Sequence, residues 1–272
     1  MKTTSAAYIM ENDQESRRLE LKTDVRVVRD QARRAGLEPG MRVLDAVCGP
    51  GITTAALAEE AGEGGSAVGI DFSEDRIARA REAHGGARTE FLVRDILEPL
   101  EGLGTFDFIW MRFALEYYRA ESFDIVRNLA SVLREGGILC LVDLDYNCLS
   151  HHGMSGRLEK ALRHVVDTLE ARANFDPYAG RKLYSHLYRL GFRDIQVEAG
   201  AHHLIYGPLR EVDEYNWTRK MDVLGDRISG DLPGYSGLDE FRKDFLAFFR
   251  DPGRFTYTPV LSAWGRKPPA GA

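Results

Sequence analysis

The segment Val43-Leu44-Asp45-Ala46-Val47-Cys48-Gly49-Pro50-Gly51 constrains the fold more than any other stretch of the chain. A short apolar run of strand character ends in a glycine turn and passes directly into helix-like sequence near residues 53 to 61. An almost wholly apolar strand is buried on both faces, which places it in a parallel sheet covered by helices. Ligands of such sheets bind outside the carboxyl ends of the strands, and glycines there let the backbone approach them closely. One glycine turn is weak evidence by itself, but the remaining sequence agrees with it.

Strand and helix alternate from there on: strand 41 to 47, helix 53 to 61, strand 66 to 71, helix 75 to 83, strand 90 to 95, strand 106 to 111, helix 121 to 134, and strand 138 to 144 after a Gly136-Gly137 turn. That order predicts a parallel α/β sheet with right-handed crossovers. An amphipathic helix over 14 to about 35, with Leu21, Val25 and Val28 at helical spacing, precedes it and stops at Gly36 and Pro39-Gly40. Beyond residue 145 the helical stretches 154 to 172, 180 to 190, 210 to 228 and 237 to 250 alternate with strand-like 192 to 206 and 254 to 266. The reading is one domain: arm 1–36, core 37–145, lid segments 146–191 and 207–250, and closing antiparallel strands 192–206 and 254–267.

Four further segments carry ligand-binding character. In Gly69-Ile70-Asp71-Phe72, about 20 residues past the glycine turn, the Asp71 carboxylate can accept from both hydroxyls of a ribose. Asp95 in Arg94-Asp95-Ile96 can accept from an adenine amino group, and the set is completed by Phe106 to Glu116 and by Leu133-Arg134-Glu135-Gly136-Gly137. In this order and spacing the segments resemble class I S-adenosylmethionine (SAM) dependent methyltransferases, in the small-molecule branch similar to ubiquinone/menaquinone-biosynthesis enzymes. The likeness covers residues 8 to 145 and, more loosely, Ala263 to Lys267.

The resemblance implies a doubly wound α/β fold, with a seven-stranded, mostly parallel, Rossmann-like sheet, an N-terminal helix and helical lid insertions. It implies SAM as methyl donor, with S-adenosylhomocysteine as product. Asp45, Val47, Gly49 and Gly51 would lie along the methionine part, Asp71 at the ribose, Phe72 and Ile96 on the adenine faces, and Asp95 at the adenine amino group. Met111 and Arg112 would flank the sulfonium, and Tyr8 would fold over the bound donor. Val47 stands where the family has its first glycine, so the backbone there is expected to stay extended, because positive φ strains a β-branched residue. NAD fits less well, since the last glycine of a GxGxxG frame is absent.

Methyl transfer needs positioning and water exclusion, with a base only for acceptors that must lose a proton. His151 and His152, just past the fifth strand, are the candidates for that base, against the reading of two solvated loop histidines. Tyr146, Asn147, Tyr178, Tyr206 and Trp217 are candidate acceptor-pocket residues, against plain lid packing. Alternation in the sixth strand sends one of His202 and His203 inward and one outward. Arg112 either binds the donor's carboxylate or pairs with Glu116. No metal is expected, because paired histidines without a carboxylate frame are a poor zinc pattern.

A net charge of −6 argues against a phosphate-tracking basic face. Three cysteines without metal spacing read as reduced thiols, and no stretch approaches the ~20 apolar residues of a membrane span, which together point to the cytoplasm. A small organic acceptor, methylated on O, N or C, is the leading expectation, with a monomer or homodimer. An RNA or protein methyltransferase and a non-catalytic SAM-binding partner are the alternatives.

Overall fold

The computed structural model describes residues 24–225 and 232–269. Tyr8 and the first half of the expected leading helix lie outside the described residues. The second half of that helix is α1 (Val25–Arg34): the Asp24 carboxylate accepts from Arg26 N–H at its start, and Arg33 and Arg34 end it. Both features suit the helix dipole.

The core runs β1 (Arg42–Ala46), α2 (Ile52–Glu60), β2 (Ser66–Asp71), α3 (Glu74–His84), β3 (Thr89–Val93), β4 (Phe106–Arg112), α4 (Ser122–Ser131) and β5 (Leu133–Leu144). These five strands pair in parallel, and β1 lies between β2 and β4. The chain therefore reverses its direction of travel across the sheet between β1 and β4. The crevice opened at that point, at the strands' carboxyl ends, is where this architecture takes ligands.

After β5 come β6 (His151–His152), α5 (Gly156–Arg172), α6 (Leu183–Arg189), β7 (Arg193–Tyr206), α7 (Glu211–Gly225), α8 (Leu238–Arg250) and β8 (Phe255–Arg266). β8 runs antiparallel between β5 and β7, the closing pair expected from sequence. The sheet has eight strands rather than seven: His151 and His152 pair with Thr256 and Phe255 to form the two-residue β6, in sequence read as loop. The fourth helix stops at Ser131 and β5 begins at Leu133, with a register shift against β4 between Phe106 and Phe108. Leu133 to Gly137 is thus an irregular start to the strand rather than a turn before it. A Cβ at Gly137 would lie 2.9 Å from Arg134 O and 3.0 Å from Asp107 O, so only glycine fits that approach.

Alternate residues of the central strands feed opposite faces. Leu44, Ile70, Ile109 and Leu141 pack with α4 and α6 residues such as Leu129 and Leu187. Val43, Phe108, Trp110 and Cys140 pack with Val28 of α1 and Leu57 of α2. A third core, Leu158, Leu162, Val165, Trp217, Phe241, Phe245 and Phe249, belongs to α5, α7 and α8. It holds these helices together by contacts among themselves, each large buried side chain contributing roughly 1.5–3 kcal/mol. No helix among the described residues is long and apolar enough to cross a membrane.

Candidate functional site

The β1–α2 loop shapes a cleft enclosing about 600 Å³, open solvent included, walled by Asp45, Val47, Cys48, Gly49, Pro50, Ile52, Thr53, Asp71, Arg76, Arg112 and Phe113. The loop turns through three left-handed residues, Val47 (φ 63°), Gly49 (φ 55°) and Gly51 (φ 89°). The expectation that Val47 stays extended is therefore corrected. Cys48 N–H is tied to Ile70 O at 2.9 Å and Gly51 N–H to Cys48 O at 3.1 Å, and this pinning holds a β-branched residue in a region it disfavours by about 1–3 kcal/mol.

Two buried carboxylates face the cleft. Asp45, 2% exposed, accepts from Thr54 Oγ1 at 2.6 Å. Burial raises its pKa to about 7; Thr54 and Arg112 oppose the shift and the charge of Asp71 adds to it. Asp71, 1% exposed, accepts from Gly49 N–H and Ser73 N–H, each at 3.0 Å, one on each oxygen. Its pKa is raised by burial, against the pull of Arg76 Nη1 at 3.5 Å and the two backbone donors. Arg112 supplies a cation opposite them. Burial lowers it to about 10, Asp45 and Asp143 hold it up, and it stays charged at neutral pH. Its Nε is buried without a hydrogen-bond partner. Glu116, the alternative partner for Arg112, accepts from Asn147 Nδ2.

Of the residues singled out for the donor, Asp45, Val47, Gly49, Asp71 and Arg112 come together in the cleft wall. Gly51, Phe72, Asp95, Ile96 and Met111 are not in that wall. A Cβ on Gly51 would meet Phe91 Cε1 at 2.8 Å and Ala80 Cβ at 2.9 Å, so this glycine serves the close packing of α2 on α3 and β3. Ile96 and Met111 are core residues. Asp95 accepts from Leu97 N–H at 2.9 Å, and the Phe72 ring lies 5.6 Å from the Arg76 guanidinium.

Sequence reasoning missed Arg76, Thr53 and Phe113. A signal existed for Arg76: it lies four residues before Ala80 and beside Ile77 on the one buried face of α3. An arginine there needs a buried anion, and Asp71 is that anion. Phe113 (φ 56°) lies within the segment Phe106 to Glu116, but nothing in the sequence singled it out from its neighbours.

The candidate base and acceptor residues lie elsewhere. His151 is mostly buried on β6, its Nδ1 2.8 Å from Thr256 Oγ1 and its ring edge-on to Trp217 at 5.3 Å and Phe248 at 5.8 Å. Burial pushes its pKa down to about 4, so it is neutral at neutral pH, and the reading of a solvated loop histidine fails for it. His152 is exposed. The hydroxyls of Tyr146 and Tyr178 both accept from Arg163, at 3.2 Å each, and Asn147 is buried on Glu116. Tyr206 is 66% exposed at the end of β7, while Trp217 is 1% exposed in the lid core. Strict alternation in β7 is also corrected. A register shift between Ala201 and His203 brings the His202 and His203 rings within 4.3 Å of each other, as a β-bulge does when it re-aims a side chain.

With this geometry in hand, the likeness to known proteins is informative. A methyltransferase domain family matches residues 37–189. A demethylmenaquinone methyltransferase from Bacillus cereus is 34% identical over 110 residues, 39% of this chain and 46% of that protein, so the chain spans about half the length of the curated relatives it matches. Among solved structures, a Bacillus halodurans protein described as a methyltransferase superposes with a TM-score of 0.57 at 18% identity, over 89% of this chain and 99% of its own. Haemonchus contortus phosphoethanolamine N-methyltransferase 2, solved with phosphomonomethylethanolamine and S-adenosylhomocysteine, superposes with a TM-score of 0.57 at 18% identity, over 95% of this chain and 58% of its own. These two likenesses speak for the fold. The family match spans β1 to α6, the cleft included and more than half of the sequence, and the chain belongs to the methyltransferase domain family.

Proposed function

We propose that the protein is a SAM-dependent methyltransferase acting on an O, N or C atom of a small organic acceptor. The observation that supports this most is the pair of buried carboxylates, Asp45 and Asp71, facing one cleft with pKa values raised by burial. Two such groups in one low-dielectric wall disfavour each other's ionisation, and a cationic ligand relieves that cost while a pyrophosphate adds to it. The cleft therefore fits a ligand bearing a sulfonium and an ammonium better than it fits a dinucleotide.

Each residue has a part in that reading. Asp71 keeps a second lone pair on each oxygen for ribose hydroxyls, beyond those engaged by Gly49 and Ser73. The partnerless Arg112 Nε–H suits the donor's carboxylate. SAM, if held there, would supply a methyl group on positively charged sulfur to the acceptor's lone pair and leave as the neutral thioether S-adenosylhomocysteine. Phe113 forms part of the cleft wall, and positioning and water exclusion are what the transfer asks of the residues around it.

Isothermal titration tests this directly. SAM is expected to bind in the micromolar range and NAD more weakly, with SAM binding weakened about hundredfold in Asp71→Ala. A preference for NAD, or no SAM binding, would sink the reading.

A further inference from the structure

Between β8 and the lid helices lies a second group of buried polar side chains that the donor cleft does not use. Arg254, 2% exposed, donates from Nη1 to Gly207 O at 3.0 Å, while its Nε and Nη2 are buried without partners. The indole Nε1 of Trp217, 1% exposed, is likewise buried without a partner, as is Nε2 of His151. These groups share one neighbourhood. Arg254 lies 5.1 Å over the Phe249 ring, Phe249 lies 5.0 Å from Trp217, and Trp217 lies 5.3 Å from His151.

A second cation completes the group. Lys220 Nζ lies 4.6 Å over the Trp217 ring, and the charges of Lys220 and Arg254 both disfavour protonation of His151. Two acids stand near Arg254, but Asp213 is paired with Arg210 at 2.7 Å and Asp251 accepts from Gly253 N–H at 2.8 Å. A buried donor left without an acceptor is costly, most of all when charged, so several kept in one region call for bound acceptors there.

A run of ring contacts leads from the group to the cleft wall. Phe113, in the cleft wall, meets the His202 ring at 4.6 Å, and His203 beside it lies 6.4 Å from Trp217. The β7 bulge is what brings His202 and His203 side by side, and β8 anchors the outer pair from one face through Thr256 to His151 and Thr258 to His203. A molecule with its reacting atom at Phe113 would extend along these rings toward Trp217 and Arg254.

We propose that the layer between β8 and helices α7 and α8 is the acceptor compartment, and that it selects a small acceptor bearing a carboxylate. The Nε and Nη2 edge of Arg254 is the fork that takes a carboxylate through two parallel hydrogen bonds. Trp217 Nε1–H, on the other side of the Phe249 ring, is a further unpaired donor for the acceptor, and Lys220 adds charge. This inference rests on the proposed methyltransferase reading for its chemistry, but the compartment's ligand preference is separable from it.

The test titrates benzoate, with benzamide and benzylamine as neutral and cationic counterparts, into protein saturated with S-adenosylhomocysteine. Benzoate is expected to bind at least about tenfold more tightly than either counterpart. Trp217→Phe, which keeps a ring and removes the N–H, and Lys220→Gln should each weaken benzoate about fivefold or more while leaving S-adenosylhomocysteine affinity unchanged. Benzoate binding no tighter than benzamide, or indifferent to both substitutions, overturns the inference. If Trp217→Phe does not fold by circular dichroism, Lys220→Gln on the half-buried helix face decides alone. If S-adenosylhomocysteine itself fails to bind, the methyltransferase reading falls, and benzoate titrated into the protein alone still reads the compartment.

Discussion

The cleft at the ends of β1, β2 and β4 and the buried donors under α7 and α8 pose opposite electrostatic problems in different parts of the chain. The cleft draws Asp45, Asp71 and Arg112 from the ends of β1, β2 and β4, so strand geometry and a backbone loop place them. Its anionic floor comes from carboxylates held by backbone and hydroxyl donors. The lid compartment draws Trp217 from α7, His151 from β6 and Arg254 from the turn before β8, far apart in sequence and held by aromatic packing. Its cations are neighboured by rings. Buried carboxylates are thus gathered at strand ends, and buried donors are gathered under helices.

The largest expected effect breaks the lid and spares the sheet. Phe245 is fully buried among Trp217, Phe241 and Phe249, and Phe245→Ala should cost about 3–5 kcal/mol there. Because that core is built mostly from the lid's own helices, denaturant unfolding followed by circular dichroism should show an early transition distinct from that of the sheet. A single shifted transition would show that the two regions unfold as one unit and that the contrast between them is only geometric.

Asp71→Ala works in the other direction. It removes the acceptor of Gly49 N–H and Ser73 N–H and the partner of Arg76, and should weaken SAM about hundredfold, near 2.7 kcal/mol, in isothermal titration. Benzoate affinity should be unchanged if cleft and lid are independent.

Next in size is a pH effect peculiar to the cleft. Asp45 has a folded pKa of about 7, above its ordinary carboxylate value, so between roughly pH 4 and pH 7 the folded protein holds a proton that the unfolded chain has released. The stability this group contributes is complete below the unfolded pKa and falls as pH rises through that window. A cationic ligand favours the ionised form, so SAM affinity should rise by up to about tenfold per pH unit below pH 7 and level off above it, with proton release on binding. Asp45→Asn should flatten both profiles. A SAM affinity equally steep in the variant would assign the titration to another group.

This contrast also explains what was legible in the sequence. That Asp45, Asp71 and Arg112 share one cleft could be foreseen, because each sits at or near a strand end of the alternating pattern and the family resemblance singled out those positions. The parallel core and the antiparallel closing pair came from the same alternation. The lid was opaque for the same physical reason inverted. Trp217 and His151 are ordinary residues until three helices and two strands fold them together, and the pairing of β6 with β8 joins residues about a hundred apart. Nor does alternation foresee a bulge, so it sends His202 and His203 to opposite faces where the fold sets them side by side. Gly51 has the look of a ligand-facing glycine because sequence cannot tell a close approach to a cofactor from a close approach to Phe91.

The smallest expected effect is the one most specific to this chain. Val47 occupies the left-handed region at φ 63° in the loop that lines the cleft, between a strand and a pinned Cys48. Val47→Gly removes a strain of about 1–3 kcal/mol but adds the chain entropy of glycine, about 0.5–1 kcal/mol, so the net gain should be on the order of 1 kcal/mol in denaturant unfolding. SAM affinity should stay within about twofold, since the loop already has the shape that glycine would adopt. A loss of stability would mean that the Val47 side chain contributes more by packing against the core than its backbone costs, and with it the cleft would owe its shape to packing as the lid does.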